Sequence, residues 1–227
     1  MYLLGLNLSS SQGIEAAVSC TTLFSLFLVF NQAGAAEHAA TTHGGPVRLA
    51  SQPTSLAGTL VTPVHNAAFM LPVAAFPAAV ALNGLAQPAW MLRWALPGGV
   101  GTGLGTTGAR LGACVAFLGV WRLVGWTLAH LGSQFHCIAR REKSTVVSTG
   151  PYNVVRHPLY SFLLVQHALC AIMFWSYVPL VGLVTSAAAF AVKMPIEESI
   201  IEADPLIGAE YKEYEKKVPS RIIPYIW

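Results

Sequence analysis

Residues Leu159 to Val192 read LYSFLLVQHALCAIMFWSYVPLVGLVTSAAAFAV, 34 positions without an Asp, Glu, Lys or Arg. A helix needs roughly 20 apolar residues to cross a hydrocarbon layer of about 30 Å. The run is too long for one helix and suits two tightly joined ones, with the turn at SYVP, Ser176 to Pro179. Such a hairpin returns the chain to the side from which it entered. The polar residues before it, 132–158, and those after it, Lys193 to Trp227, then share one face of the membrane. The run therefore predicts an all-α integral membrane protein and brings two polar segments together.

The rest of the chain agrees. Of its 227 residues 54% are hydrophobic and 10% charged, against roughly 25% charged in soluble domains. Residues 1–131 hold six charged side chains (Glu15, Glu37, Arg48, Arg93, Arg110 and Arg122), and residues 132–227 hold the other seventeen. This divides the protein into N-terminal membrane helices, 1–131, and a polar C-terminal region, 132–227, the candidate for carrying a site. The net charge of +3 is too small for a nucleic-acid partner. Cys20, Cys114, Cys137 and Cys170 form no CxxC pair, which speaks for reduced, mostly buried thiols and against a disulfide framework or metal site.

Residues 16–36 are uncharged around LFSLFLVF, and the first basic residue is Arg48. A secretory signal would carry a basic leading region, so this is a first membrane helix or signal-anchor. Residues 37–56 are small, polar and punctuated by Pro and Gly, and read as a loop outside the membrane. An apolar stretch from Ala57 to Leu82 ends at Asn83-Gly84, and PAWMLRWAL follows. GGVGTGLGTTG, Gly98 to Gly108, contains a GxGxxG match, but a dinucleotide site needs a preceding strand and a βαβ unit; a membrane turn is expected. Residues 109–131 read as the next helix, with Arg122 near its end and placed to snorkel to the interface. By length, five or six spans result. The segment 132–158 carries Arg140, Arg141, Lys143 and Arg156 against Glu142, which puts it on the cytosolic side.

Three pieces of that side carry chemistry. STGPYNVVRHPLY, Ser148 to Tyr160, is stiffened at Gly150-Pro151 and His157-Pro158, because Pro locks φ and restricts its predecessor. Irregular backbone at membrane depth lines a cavity or packs in protein, so this is a preformed pocket wall. Arg156 there suits a carboxylate, a phosphate or a helix-end cap. KMPIEES, Lys193 to Ser199, sets Lys193 and Glu197 four apart on one helical face, either as a plain ion pair or as part of a site; Pro195 between them starts a new helix or kinks a continuous one. In the tail, Ile207, Tyr211, Tyr214 and Val218 share one face of an interfacial helix, a pattern that simple packing satisfies.

TGPYNVVRHPLY, then EE after a two-helix gap, then YKEYEKKVPSRIIPYIW, resembles the isoprenylcysteine carboxyl methyltransferases, within a wider group that includes phospholipid methyltransferases. The resemblance runs from about Leu131 to Trp227. It implies an enzyme of the endoplasmic reticulum membrane, acting in CaaX processing. S-adenosylmethionine would be its cofactor, and farnesyl- or geranylgeranyl-cysteine at prenylated protein C-termini its partner, within membrane lipid. By position, Ser144, Thr145, Val146, Val147, Tyr152, His157, Pro158, Leu159, Tyr160 and Glu197 contact the cofactor, and Arg140 falls on another such position. Lys193 stands where the family has an arginine near the substrate carboxylate, and with Glu197 and Arg156 makes the catalytic set. The Lys143–Gly150 loop is short and lacks a histidine often seen there.

The chemistry suits these residues. An α-carboxylate of pKa about 3.5 is ionised at neutral pH and needs no base to act as nucleophile. Three rivals stand beside this reading. A phospholipid amine acceptor must shed a proton and wants a base such as Glu198 or His157. A sterol-reductase-like enzyme using NADPH shares a VP.RIIP-type tail but wants more basic groups. The third rival is a non-catalytic scaffold.

Overall fold

A computed structural model describes residues 2–3, 6–101 and 103–227. After a two-residue antiparallel pairing of Tyr2–Leu3 with Leu6–Asn7 the architecture is helical: α1 (Ser10–Gly44), α2 (Leu56–Leu82), the short α3 (Ala89–Leu92), α4 (Leu104–Leu131), α5 (Pro158–Phe174), α6 (Val178–Glu202) and α7 (Gly208–Lys217). Among the described residues, α1, α2, α4 and α6 are long and apolar enough to cross a membrane. With 17 residues, α5 spans about 26 Å at 1.5 Å per residue, the lower edge of that range.

Helix α2 packs on α6, α4 on α5, and α1 on both α2 and α4. The core between them holds Phe69, Val73 and Phe76 of α2, Phe117 and Trp121 of α4, and Met173 and Phe174 of α5. Phe76 and Phe174 stack at 4.0 Å. Phe24, Phe27, Leu71, Val115, Val181 and Val184 point outward, which is costly in water and natural in lipid. The α5–α6 turn occupies Trp175–Tyr177, overlapping the expected Ser176–Pro179 but ending earlier, because Val178 and Pro179 already open α6. Pro63, Pro72 and Pro77 lie inside α2, and neighbouring helices make this tolerable in a membrane.

Two expectations are corrected. The loop expected over 37–56 begins only after Gly44, because α1 continues eight residues further. The cause is Arg141, which lies buried against the end of α1: it donates to Glu37 Oε1 at 2.8 Å and to the Gly45 carbonyl at 3.0 Å. At Gly44 a Cβ would sit 2.2 Å from the Ser133 carbonyl oxygen, so only glycine permits that approach. The thiols are not mostly buried: Cys114 and Cys170 are, while Cys20 and Cys137 are exposed. Of the two alternatives at Pro195, the continuous helix is found, since α6 runs through it to Glu202. The GxGxxG match leads into the N-terminus of α4, and among the described residues no strand lies between α3 and α4.

Candidate active site

Gly150–Asn153 forms one 3-10 turn, with Gly150 at φ +59. A Cβ there would meet the His130 ring at 2.4 Å, so glycine is required twice over. Pro158 then opens α5, where a missing N–H costs nothing. Between them the tail Val218–Arg221 is laid alongside: Arg156 N donates to Ser220 O and His157 N to Arg221 O, at 3.0 and 2.8 Å. Ser161 Oγ donates to Ile222 O at 2.6 Å. The stiff segment is thus stitched to the C-terminus on one side and faces a cavity on the other.

That cavity is lined by Arg140, Thr145, Val146, Val147, Tyr152, Arg156, His157, Pro158, Leu159, Tyr160 and Glu197. All of these were singled out from sequence. Ser144 was too, but it turns away, donating to Arg141 O at 2.7 Å and accepting from Arg48 Nη2 at 2.9 Å. Arg122 lies exposed on α4, outside the cavity wall. Sequence reasoning missed Gln134 and His136 as lining residues, and took Tyr211 and Tyr214 for surface packing, whereas both close the cavity from α7. Their spacing identified the right face; only the fold shows what it covers.

Glu197 is the centre of the polar wall. Tyr160 Oη donates to it at 2.7 and 2.8 Å to its two oxygens. Lys193 Nζ lies 3.7 Å from its Oε1 and 5.1 Å over the Tyr160 ring. Because α6 continues through Pro195, Lys193 and Glu197 keep their shared face. Tyr160 is itself held between the His157 and Phe190 rings, at 5.4 and 4.3 Å.

Glu198, one residue on, points to the tail. It accepts from Arg156 Nε at 2.9 Å and from Arg221 Nη2 at 2.6 Å, and lies 3.0 Å from His157 Nε2. Arg156 also donates to Val218 O and Pro219 O, which occupies it in fastening the tail rather than in presenting a free guanidinium. Burial alone would lower its pKa, but the Glu198 carboxylate outweighs that and raises it. Burial pushes the Tyr152 hydroxyl up, with Tyr214 and Glu197 adding to it, so Tyr152 acts as a neutral wall. Tyr214 Oη in turn donates to Tyr152 O at 2.7 Å. His136 is pulled down to about 3 by burial and by the neighbouring Arg140 charge, and stays neutral at physiological pH.

A second cavity of about 670 Å³ adjoins the first. It lies among α1, α2, α4, α5 and α6, and its wall includes Phe69, Trp121, Leu163 and Phe190. Phe135, His136, Leu159 and Tyr160 line both cavities, and Lys193 lines the apolar one. The smaller cavity, polar in the charged groups Arg140, Arg156 and Glu197 on its wall, and the larger apolar one therefore share Tyr160, with one buried ammonium and one buried carboxylate beside it.

Residues 112–203 match the model of the isoprenylcysteine carboxyl methyltransferase (ICMT) family. The match covers most of α4, the cavity loop and the α5–α6 hairpin, so the resemblance carried by the motifs is found again over that region. No curated protein matches the chain.

Proposed function

We propose that this protein transfers a methyl group from S-adenosylmethionine to the C-terminal carboxylate of a prenylated cysteine, giving a methyl ester. The observation that carries the reading is the junction at Tyr160, Glu197 and Lys193, where a cavity with Arg140 and Glu197 on its wall adjoins a larger, mostly apolar one of about 670 Å³. A substrate that is a carboxylate at one end and a long hydrocarbon at the other fits that pair of chambers.

The residues present suit the cofactor. Arg140 lines the polar cavity, and its Nε and Nη2 are buried without a hydrogen-bond partner; such donors call for an anion, and the cofactor carries a carboxylate. Glu197 offers a counter-charge on the same wall. Tyr152, His157, Pro158, Leu159, Tyr160, Thr145, Val146 and Val147 would enclose the remainder. When bound, S-adenosylmethionine supplies a methyl group on a positively charged sulfur, already activated toward a nucleophile.

The chain's own work is alignment and exclusion of water. Lys193 would draw the substrate carboxylate to the mouth of the polar chamber, and Glu197, fixed by Tyr160, would keep Lys193 in place. The cofactor would supply the methyl group to an acceptor that is already a carboxylate, so no proton has to move and the chain needs no base. Opposite charges cancel in this step, which a dry pocket favours, and alignment is worth up to about 7–11 kcal/mol. An amine acceptor would need a base, and both Glu198 oxygens are engaged by Arg156, His157 and Arg221. The excess of Arg and Lys around the site points it to the cytosol, and the family suggests the endoplasmic reticulum.

The test is transfer of labelled methyl from S-adenosylmethionine to N-acetyl-farnesylcysteine in membranes containing the chain. A base-labile ester above the level of matched membranes without the chain is expected. Cofactor binding with no ester formed would overturn the acceptor, and no cofactor binding would overturn the reading as a whole.

A further inference from the structure

Arg48 belongs to the α1–α2 loop, far from the 112–203 family match. It nevertheless reaches the back of the polar cavity. Its backbone N donates to Arg140 O at 2.8 Å, its Nε to Arg141 O at 3.0 Å, and its Nη2 to Ser144 Oγ at 2.9 Å. Its Nη1 lies 3.1 Å from Asp204 Oδ2. Nearby, Ser51 Oγ accepts from Arg140 N at 2.7 Å.

Asp204 has a side chain only 1% exposed and stands between two guanidinium groups. Arg48 is the nearer, at 3.1 Å; Arg140 Nε is at 3.9 Å from the same oxygen. Arg140 is 5% exposed in its side chain. It sets Nη1 at 3.3 Å from His136 Nε2, and among the described residues its Nε and Nη2 have no hydrogen-bond partner. Without Arg48, a buried carboxylate beside a buried arginine would take it in a two-pronged pair, the strongest arrangement open to both. Those two donors would then be spent on Asp204 instead of being left over at the cavity.

We infer that Arg48 is a positioning residue for the cofactor: by holding Asp204 it leaves Arg140 free to bind the carboxylate of the cofactor's amino-acid part. This rests on the cofactor reading above. The chamber argues for that anion over the substrate's carboxylate, because Arg140 lines only the polar cavity whereas Lys193 lines the apolar one. It also assigns Ser144, which faces away from the cavity, to the support of Arg48.

The experiment is calorimetric titration of the purified full-length chain in detergent with S-adenosylhomocysteine and with its decarboxylated analogue. The unaltered protein is expected to prefer the carboxylate-bearing probe by roughly tenfold or more, the scale of charge-assisted hydrogen bonds. Arg48→Ala should bring that preference close to one while affinity for the decarboxylated probe holds. Adding Asp204→Asn to Arg48→Ala should restore most of the preference, since no competing charge remains. Equal weakening of both probes, an unchanged preference, or a double variant no better than Arg48→Ala would each overturn the inference. So would a parent protein that binds both probes equally, though the cofactor reading would stand. If the parent binds neither, the cofactor reading falls and the inference with it.

Discussion

Glu197 and Lys193 are four residues apart on a helix that carries a proline between them, and their chemistry depends on that helix not breaking. Lys193 has a single carboxylate neighbour at 3.7 Å, outside hydrogen-bonding range, so its ammonium has capacity for a second anion. If that anion is the acceptor carboxylate, Lys193→Arg retains or raises ester formation, because a guanidinium grips a carboxylate with two parallel bonds. Steady-state kinetics on N-acetyl-farnesylcysteine check this; a folded but inactive arginine variant would refute the role. His136 makes a prediction about pH. Its folded-state pKa is about 3, below the ordinary value near 6.5. The unfolded chain therefore binds more protons between those values, and stability falls as pH drops through that window. His136→Gln should flatten the decline. Melting temperatures of both proteins at pH 7.5 and pH 5 read it directly.

At the scale of elements, the cavity wall depends on a turn that tolerates one residue type. Gly150→Ala places a Cβ in the left-handed region and against the His130 ring. A strained φ of this kind costs about 1–3 kcal/mol, and the ring clash adds to it. The expected result is a lower melting temperature with weaker cofactor binding. Unaltered binding would mean that the turn does not shape the wall. Much of this element was legible in the residues. Gly150-Pro151 and His157-Pro158 declared a stiff segment, and Tyr152, Arg156, His157, Pro158, Leu159 and Tyr160 of that segment lie on the wall. Tyr211 and Tyr214 were readable only as a helical face, because periodicity reports that a face is buried and says nothing of what it is buried against.

Across the whole molecule, the bundle is tied at its far end by charges that composition alone left unexplained. Arg110 makes a two-pronged pair with Glu15 at 2.7 and 2.9 Å, and its Nε donates to Met173 O at 2.8 Å. Gln87 joins Glu15 to Phe174 O. This joins α1, α4 and the end of α5. Removing one partner leaves a buried charge, so Glu15→Leu should cost about 3–5 kcal/mol, whereas Glu15→Leu with Arg110→Met should recover most of it. Thermal denaturation of the single and double variants in detergent separates the two outcomes; equal loss in both would show that the helices rely on the polar contacts themselves.

The uncharged runs, the two polar segments and the motif spacing were enough to specify an all-α membrane bundle, its α5–α6 hairpin and most of one cavity wall. These follow from local properties: apolar length, helical period and the fixed φ of proline. The tertiary structure alone decided that α1 outruns its apolar stretch to meet Arg141, that Glu15 seeks Arg110, and that Arg48 reaches Asp204 beside Arg140. Each of these pairs residues that lie far apart in the chain. Nothing local marks such a partner, since a buried charge acquires its counter-charge only where packing brings distant helices together.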